Sequence, residues 1–239
     1  KRQVGFSLMS PAGYDPNGAI SLFDKLIQAS RLNDTGAYPY LRSHPMSTER
    51  MADMANRAQQ LGARKPEAAD PLHVMMAARA RALTDLSPDA QRNLVLIARD
   101  QPLAGHEQDL RRVGSAYAGV LAHMYSRQFD EAERMWAELQ KARAGRPDEQ
   151  DQIAWLGSEL ALKRGMADLA LERLAVVSAR AQLTRAHLMV RAQALLDTRR
   201  PDAGKQAAEL LQAWLQKKPR DGHAWDLCGQ TLGLAGDSL

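Results

Sequence analysis

A chain of 239 residues, 45% hydrophobic and 25% charged, is long enough to bury a core unaided, and its single cysteine, Cys228, excludes a small disulfide-knit fold. Aromatics make up only 5%, whereas Ala, Leu, Arg, Gln and Met abound, so the composition favours helices. The formal charge of +4 is carried by basic residues scattered among acids, as at Arg79, Arg81 and Asp85, with no aromatic platforms between them, and no run of roughly 18 apolar residues is present; nucleic-acid binding and a membrane span are not expected.

The chain opens at Lys1 rather than Met, inside what reads as a helix and with no signal-peptide pattern, so a trimmed or processed protein is expected. In the first segment Ala12-Gly13-Tyr14-Asp15-Pro16-Asn17-Gly18 is a turn cluster; Asp15 can cap a helix whose first position is Pro16 and whose apolar face carries Ile20, Phe23, Leu26 and Ile27. Loops follow at Asn33-Asp34-Thr35-Gly36, Tyr38-Pro39-Tyr40 and Ser43-His44-Pro45-Met46-Ser47. Ser47 or Thr48 then caps a helix turning Met51, Met54, Ala55, Ala58 and Leu61 inward, which Gly62 closes. The stretch Ala63 to Asp70, with Arg64-Lys65-Pro66-Glu67, reads as a linker, dividing residues 1–66 from 67–239.

From Pro71 onward the punctuation is that of helical hairpins. Helices are predicted at Pro71 to Leu86, Pro88 to Asp100, Glu107 to Ser126, Phe129 to Ala144, Asp148 to Arg164, Met166 to Ala179, Gln182 to Thr198, Asp202 to Lys217 and Gly222 to Leu234, with caps at Asp70-Pro71, Ser87-Pro88 and Asp221. Small residues recur at Ala132, Ala170 and Ala207, spaced 38 and 37 residues apart. Each has a large apolar residue four positions on, at Trp136, Leu174 and Leu211. Phe129 and Gly165 precede the first two, while Pro219, Trp225 and Gly229 continue the third. This is the pattern of tetratricopeptide repeats, slightly longer than the ideal unit of about 34 residues. One hairpin cannot bury its own apolar face and must stack on neighbours, so the expected fold is all-α: a tetratricopeptide-like helical-hairpin solenoid after a small helical module. A generic Ala/Leu-rich bundle is the bland alternative.

Self-contained chemistry is not in sight. The six histidines, His44, His73, His106, His123, His187 and His223, form no pair at metal-ligand spacing; after His106-Glu107 the position of a second zinc histidine is Leu110. No nucleophile elbow, phosphate loop or dinucleotide fingerprint is present. Cys228 with His223 five residues earlier is a poor nucleophile pair and reads as a buried thiol.

The residues Val4-Gly5-Phe6-Ser7-Leu8-Met9, Ala12-Gly13-Tyr14-Asp15-Pro16, Phe23 to Leu26, and Ser43-His44-Pro45 with Arg50 resemble the end of the peptidase domain in BepA-like zinc metallopeptidases, peptidase family M forty-eight. The detailed resemblance covers residues 4 to 62, and the later helices fit that family's repeat domain in order and length. It implies that zinc is held by a His-Glu-x-x-His helix and a downstream Glu lying upstream of Val4-Gly5, and hence outside this chain, which is expected to be inactive alone. His44 would sit in the loop near the zinc of the full-length enzyme, or simply steady that loop. The resemblance also implies a periplasmic location and a repeat domain that grips unfolded or assembling outer-membrane proteins and their assembly machinery.

The expected function is therefore protein interaction through a groove lined by the first helices of the hairpins, with Tyr117, His123, Arg185 and Arg191 as candidate contacts. Two alternatives stand beside it: peptidase activity restored by a separate zinc-bearing fragment, and a structural or regulatory adaptor unrelated to proteolysis. The apolar faces at Phe23, Leu26, Met51 and Met54 need partners, and a homodimer through residues 4–62 is expected.

Overall fold

The computed structural model describes residues 8–9, 11–32, 52, 55–59 and 70–235; His44, Met51, Met54, Leu61 and the loops around Tyr38 and Pro45 lie outside them. The chain separates into two compact units, Lys1–Ala68 and Ala69–Leu239. No strand occurs among the described residues. The protein is all-α.

In the first unit the turn cluster ends in helix α1 (Pro16–Leu32). Asp15 Oδ1 accepts from the Asn17 backbone N–H at 2.9 Å, satisfying one of the donors a helix start leaves open. Ala19 is buried, Ile20 and Phe23 are half-buried, and residues 55–59 are helical with Ala58 buried.

The second unit is a succession of α2 (Pro71–Thr84), α3 (Pro88–Asp100), α4 (Leu110–Tyr125), α5 (Phe129–Ala142), α6 (Pro147–Lys163), α7 (Ala167–Leu174), α8 (Ala179–Gln182), α9 (Arg185–Asp197), α10 (Pro201–Lys217) and α11 (Gly222–Ala235). Helices α2, α4, α6, α9 and α11 pack side by side in turn. The second helices α3, α5, α7 and α10 each pack on their own partner and on the first helix of the next hairpin. That is the neighbour-on-neighbour logic of a helical-repeat stack.

The repeat signature lies where close helix approach demands it: Ala132, Ala170 and Ala207 are all fully buried. Tyr117, Leu121, Leu139, Ile153, Leu156 and Leu160 centre one core, spanning α2 to α6. Ala207, Leu211, Leu227 and Cys228 belong to a second in α9 to α11, and Ala161, Ala170 and Ala194 form a smaller cluster where α6, α7 and α9 meet. Cys228 is 1% exposed, and burial pushes its thiol pKa up, as befits a small core residue.

Local chemistry sets the helix ends. Asp70 and Ser87 accept from the backbone N–H groups of Leu72 and Ala90, each before a proline at the first turn. Asp109, not Glu107, caps α4 by accepting from the Arg111 N–H at 3.0 Å, while Glu107 is spent on the Gly105 N–H in the preceding turn. Between α6 and α7, Gly165 takes a left-handed φ of 76°; between α9 and α10 Arg199 does the same at 56°, at a cost of about 1 kcal/mol relative to glycine.

The largest departure from the predicted helices lies at Met166 to Thr198. Helix α7 ends at Leu174 and a separate single-turn helix, α8, intervenes before α9. The cause is a long-range contact: Ser178 donates both its backbone N–H and its hydroxyl to the buried Asp151 carboxylate of α6, each at 2.7 Å. That pull holds Ser178 in an extended conformation, from which it caps α8, and buries Val177 beside it.

Candidate protein-interaction surface

The four candidate contact residues sit on two helices, Tyr117 and His123 on α4, Arg185 and Arg191 on α9. Among the described residues no hydrogen bond, ion pair or ring contact joins them to one another.

Tyr117 does face the first helices of the neighbouring hairpins, but it is 1% exposed and takes no part in an open groove. Arg79 of α2 pairs with Glu159 of α6, both about three-quarters buried, and Tyr117 lies beside that pair. Helices α2 and α6 thus touch each other across α4, which is buried at Val113, Gly114 and Ala116–Met124. Burial pushes the Tyr117 phenol up to about 12, against the opposing pull of Arg79. It packs in the core between α2 and α6.

His123 is 7% exposed and is likewise structural. Its Nδ1 lies 2.7 Å from the Gln128 Oε1, and the Gln128 N–H donates to the His123 carbonyl at 2.8 Å, so the residue clasps the turn between α4 and α5. Arg191 is half-buried, one turn from the buried His187, whose charged form it disfavours.

Of the four, Arg185 lines a cleft. Its guanidinium grips the Asp221 carboxylate with two hydrogen bonds of 2.7 and 2.9 Å, fork to fork. Asp221 also accepts from the Trp214 indole N–H at 2.9 Å and from the Ala224 backbone N–H at 3.3 Å, capping α11. These donors, Arg185 foremost, hold the Asp221 carboxyl well below the usual carboxylate range. Around the pair the cleft is lined by Trp214, Lys217, Lys218, Pro219 and Arg220. Its lysine-rich rim is legible in the sequence from 217 to 220; Arg185, 36 positions earlier, can be joined to Asp221 only by the packing of α9 on α10 and α11.

Trp225, singled out by the repeat spacing, is 51% exposed, and its indole N–H donates to the Pro219 carbonyl at 3.0 Å. Helix α11 buries Ala224, Leu227, Cys228 and Thr231 instead, the residues three and four apart that face α10 and α9.

No family model matches the chain. Curated relatives do match: the proteins called Beta-barrel assembly-enhancing protease from Escherichia coli (strain K12), Shigella flexneri and Escherichia coli O157:H7 are each 25% identical to it over 232 residues. The match takes in 95% of this chain and 44% of each relative, so the chain spans less than half the length of the proteins it resembles. The chain is thus distantly similar, along nearly all of its own length, to part of a protease whose name ties it to β-barrel assembly.

Proposed function

We propose that this chain is the protein-interaction part of a periplasmic zinc metalloendopeptidase and chaperone acting in outer-membrane protein quality control. In this reading residues 1–66 are the tail of the peptidase domain and residues 67–239 a tetratricopeptide-repeat domain that holds unfolded or assembling outer-membrane proteins and their assembly machinery. The carrying observation is the similarity to the Beta-barrel assembly-enhancing proteases along 95% of the chain, joined to a stack of helical hairpins suited to holding other polypeptides.

In this reading the zinc of the parent enzyme is held by ligands other than the described residues. Among them no three His, Cys, Asp or Glu side chains come together: His73, His106 and His223 are exposed at separate places, while His123 and His187 are buried on different helices. That donor set does not fit a zinc site, and no proteolytic step is assigned to it. No helix among the described residues is long and apolar enough to cross a membrane.

Self-association through residues 4–62 is part of the reading, supported by the exposed Leu8, Tyr14 and Leu22. Light scattering checks it: a mass of two chains is expected, and a monomer at high concentration rejects it. The interaction reading is tested by mixing the chain with a urea-unfolded β-barrel outer-membrane protein during dilution. Binding and reduced aggregation are expected, whereas aggregation unchanged by the chain removes the reading.

A further inference from the structure

We propose that the cleft formed by Arg185, Trp214 and Lys217–Arg220, with Trp225 tethered to its Pro219, binds an acidic, extended polypeptide segment of a client protein; the idea rests on the interaction reading above and names the class of partner. Three observations carry it. First, the charge is unbalanced: Lys217, Lys218 and Arg220 are exposed and, among the described residues, meet no carboxylate, while Asp221, the one acid of the cleft, is consumed by Arg185. Most arginines elsewhere on this unit are paired, as in Arg79–Glu159, Arg143–Glu149 and Arg164–Glu133, whereas here three cations without a carboxylate stand within four positions of one another. The dipole at the end of α10 accounts for a cation at Lys217, but Arg220 lies beyond that helix.

Second, the resident acid shows what the cleft recognises. A carboxylate is already held there by a two-pronged guanidinium and an indole N–H, the donor geometry that suits carboxylates. Third, Trp225 presents about half of its surface to solvent with its ring tethered to the Pro219 carbonyl, so an aromatic anchor stands beside the charges already ordered. Trp214 and Pro219 add an apolar floor to the cationic rim.

This combination fits a chain alternating acids with an apolar side chain. A nucleic acid needs a stripe of cations tracking its backbone and stacked rings in series. The unpaired cations here cluster at Lys217, Lys218 and Arg220, beside one exposed indole. An anionic bilayer needs an apolar helix face to sink into. The exposed side of α11 instead carries Asp226 and Gln230 beside Trp225.

The test is fluorescence anisotropy of a short fluorescein-labelled peptide alternating glutamate with leucine, added to the full chain. Saturable binding that weakens steeply with salt is expected, and a lysine-for-glutamate version of the peptide should not bind. Lys217→Glu/Lys218→Glu/Arg220→Glu should weaken binding by about tenfold or more, and Trp225→Ala should weaken it too, while the charge-matched control Arg92→Glu/Lys141→Glu/Lys205→Glu binds like the wild type. Melting curves establish that each variant is folded. Equal affinity of the cleft and control variants overturns the proposal, as does tighter binding of phosphatidylglycerol vesicles or a single-stranded oligonucleotide through the same residues. If the cleft variant still holds an unfolded β-barrel protein as the wild type does and the acidic peptide is ignored, the cleft assignment falls and the interaction reading stands. If the wild type holds no unfolded polypeptide, that wider reading falls.

Discussion

The indole of Trp136 lies against Gly157, so close that a methyl group at Gly157 would stand 2.4 Å from Cε2 and 2.5 Å from Cζ2. The ring cannot step aside. Its N–H donates to the Ile153 carbonyl at 2.8 Å, and the Arg173 guanidinium stacks over it at 4.0 Å. Arg173 in turn is fixed by Glu133 and by the Gly157 carbonyl, so α5, α6 and α7 are locked at one point.

Gly157→Ala is therefore expected to destabilise the stack even though alanine is the better helix former. Against a ring fixed this tightly, overpacking falls in the upper part of its usual range, roughly 2–3 kcal/mol, and the propensity gain returns about 1 kcal/mol, leaving a net loss of about 1–2 kcal/mol. Thermal melting by circular dichroism should drop by about 4 °C. Gly233→Ala, with open space at its Cβ, should leave the melting point equal or higher. A Gly157→Ala protein as stable as the wild type contradicts the close packing.

Arg143 and Glu149 form a buried ion pair, 2% and 8% exposed, with a second guanidinium N–H at 2.7 Å from the other carboxylate oxygen and a third given to the Glu107 carbonyl. Removing one partner strands the other charge in the interior. Glu149→Ala is expected to cost about 3–5 kcal/mol, and the double change Arg143→Met/Glu149→Leu should recover most of it, because two apolar side chains leave no orphaned charge. Urea midpoints of the three proteins decide the matter; a double variant as unstable as the single one counts against this account.

What was legible in the sequence was the part of the fold made by short-range pattern. Ala132, Ala170 and Ala207 mark helix contacts because a small residue followed one turn later by a large one leaves little choice about which face is inward. Caps at Asp70, Ser87 and Asp221 follow equally from their neighbours. The contact surface was less legible, because burial depends on distant residues. Tyr117 has the composition of a hot spot, yet Arg79 and Glu159, 38 and 42 positions away, enclose it. The break between α7 and α9 is set by Asp151 reaching Ser178, a contact no periodicity encodes. Arg185 stands out in the sequence as a contact residue, but the cations that surround it come from a turn brought near only by folding.

Helix α2 contacts α3 lightly and takes most of its packing from α4, with Arg79–Glu159 as its tie to α6. A charged hydrogen bond in this largely sheltered position contributes about 1.5 kcal/mol. Glu159→Ala should therefore raise the rate of amide hydrogen exchange across Pro71–Thr84 by about tenfold, without a matching change in α10 or α11. The exposed Glu138→Ala serves as control and should leave α2 protection unchanged. Uniform acceleration over the whole chain would show that the pair stabilises the entire stack rather than holding one helix.

His187 is 3% exposed on α9, and its Nδ1 accepts the Trp155 indole N–H at 3.4 Å. The neutral ring must then carry its proton on Nε2, which meets no partner among the described residues. Burial chiefly, and the Arg191 charge next, lower the His187 pKa in the folded chain, with Asp151 opposing them. In the unfolded chain the imidazole accepts a proton near pH 6.5, about its ordinary value. Below that value the unfolded state binds more protons than the folded one, so stability rises with pH. The contribution is complete above the unfolded pKa and is lost progressively as the pH falls through it toward the lowered folded value. Protonation also removes the Nδ1 lone pair that Trp155 uses, coupling α6 and α9 to acid. Melting temperatures should accordingly fall between about pH 7 and about pH 5, and His187→Gln should flatten that part of the profile. Parallel profiles for the two proteins would place the acid sensitivity elsewhere.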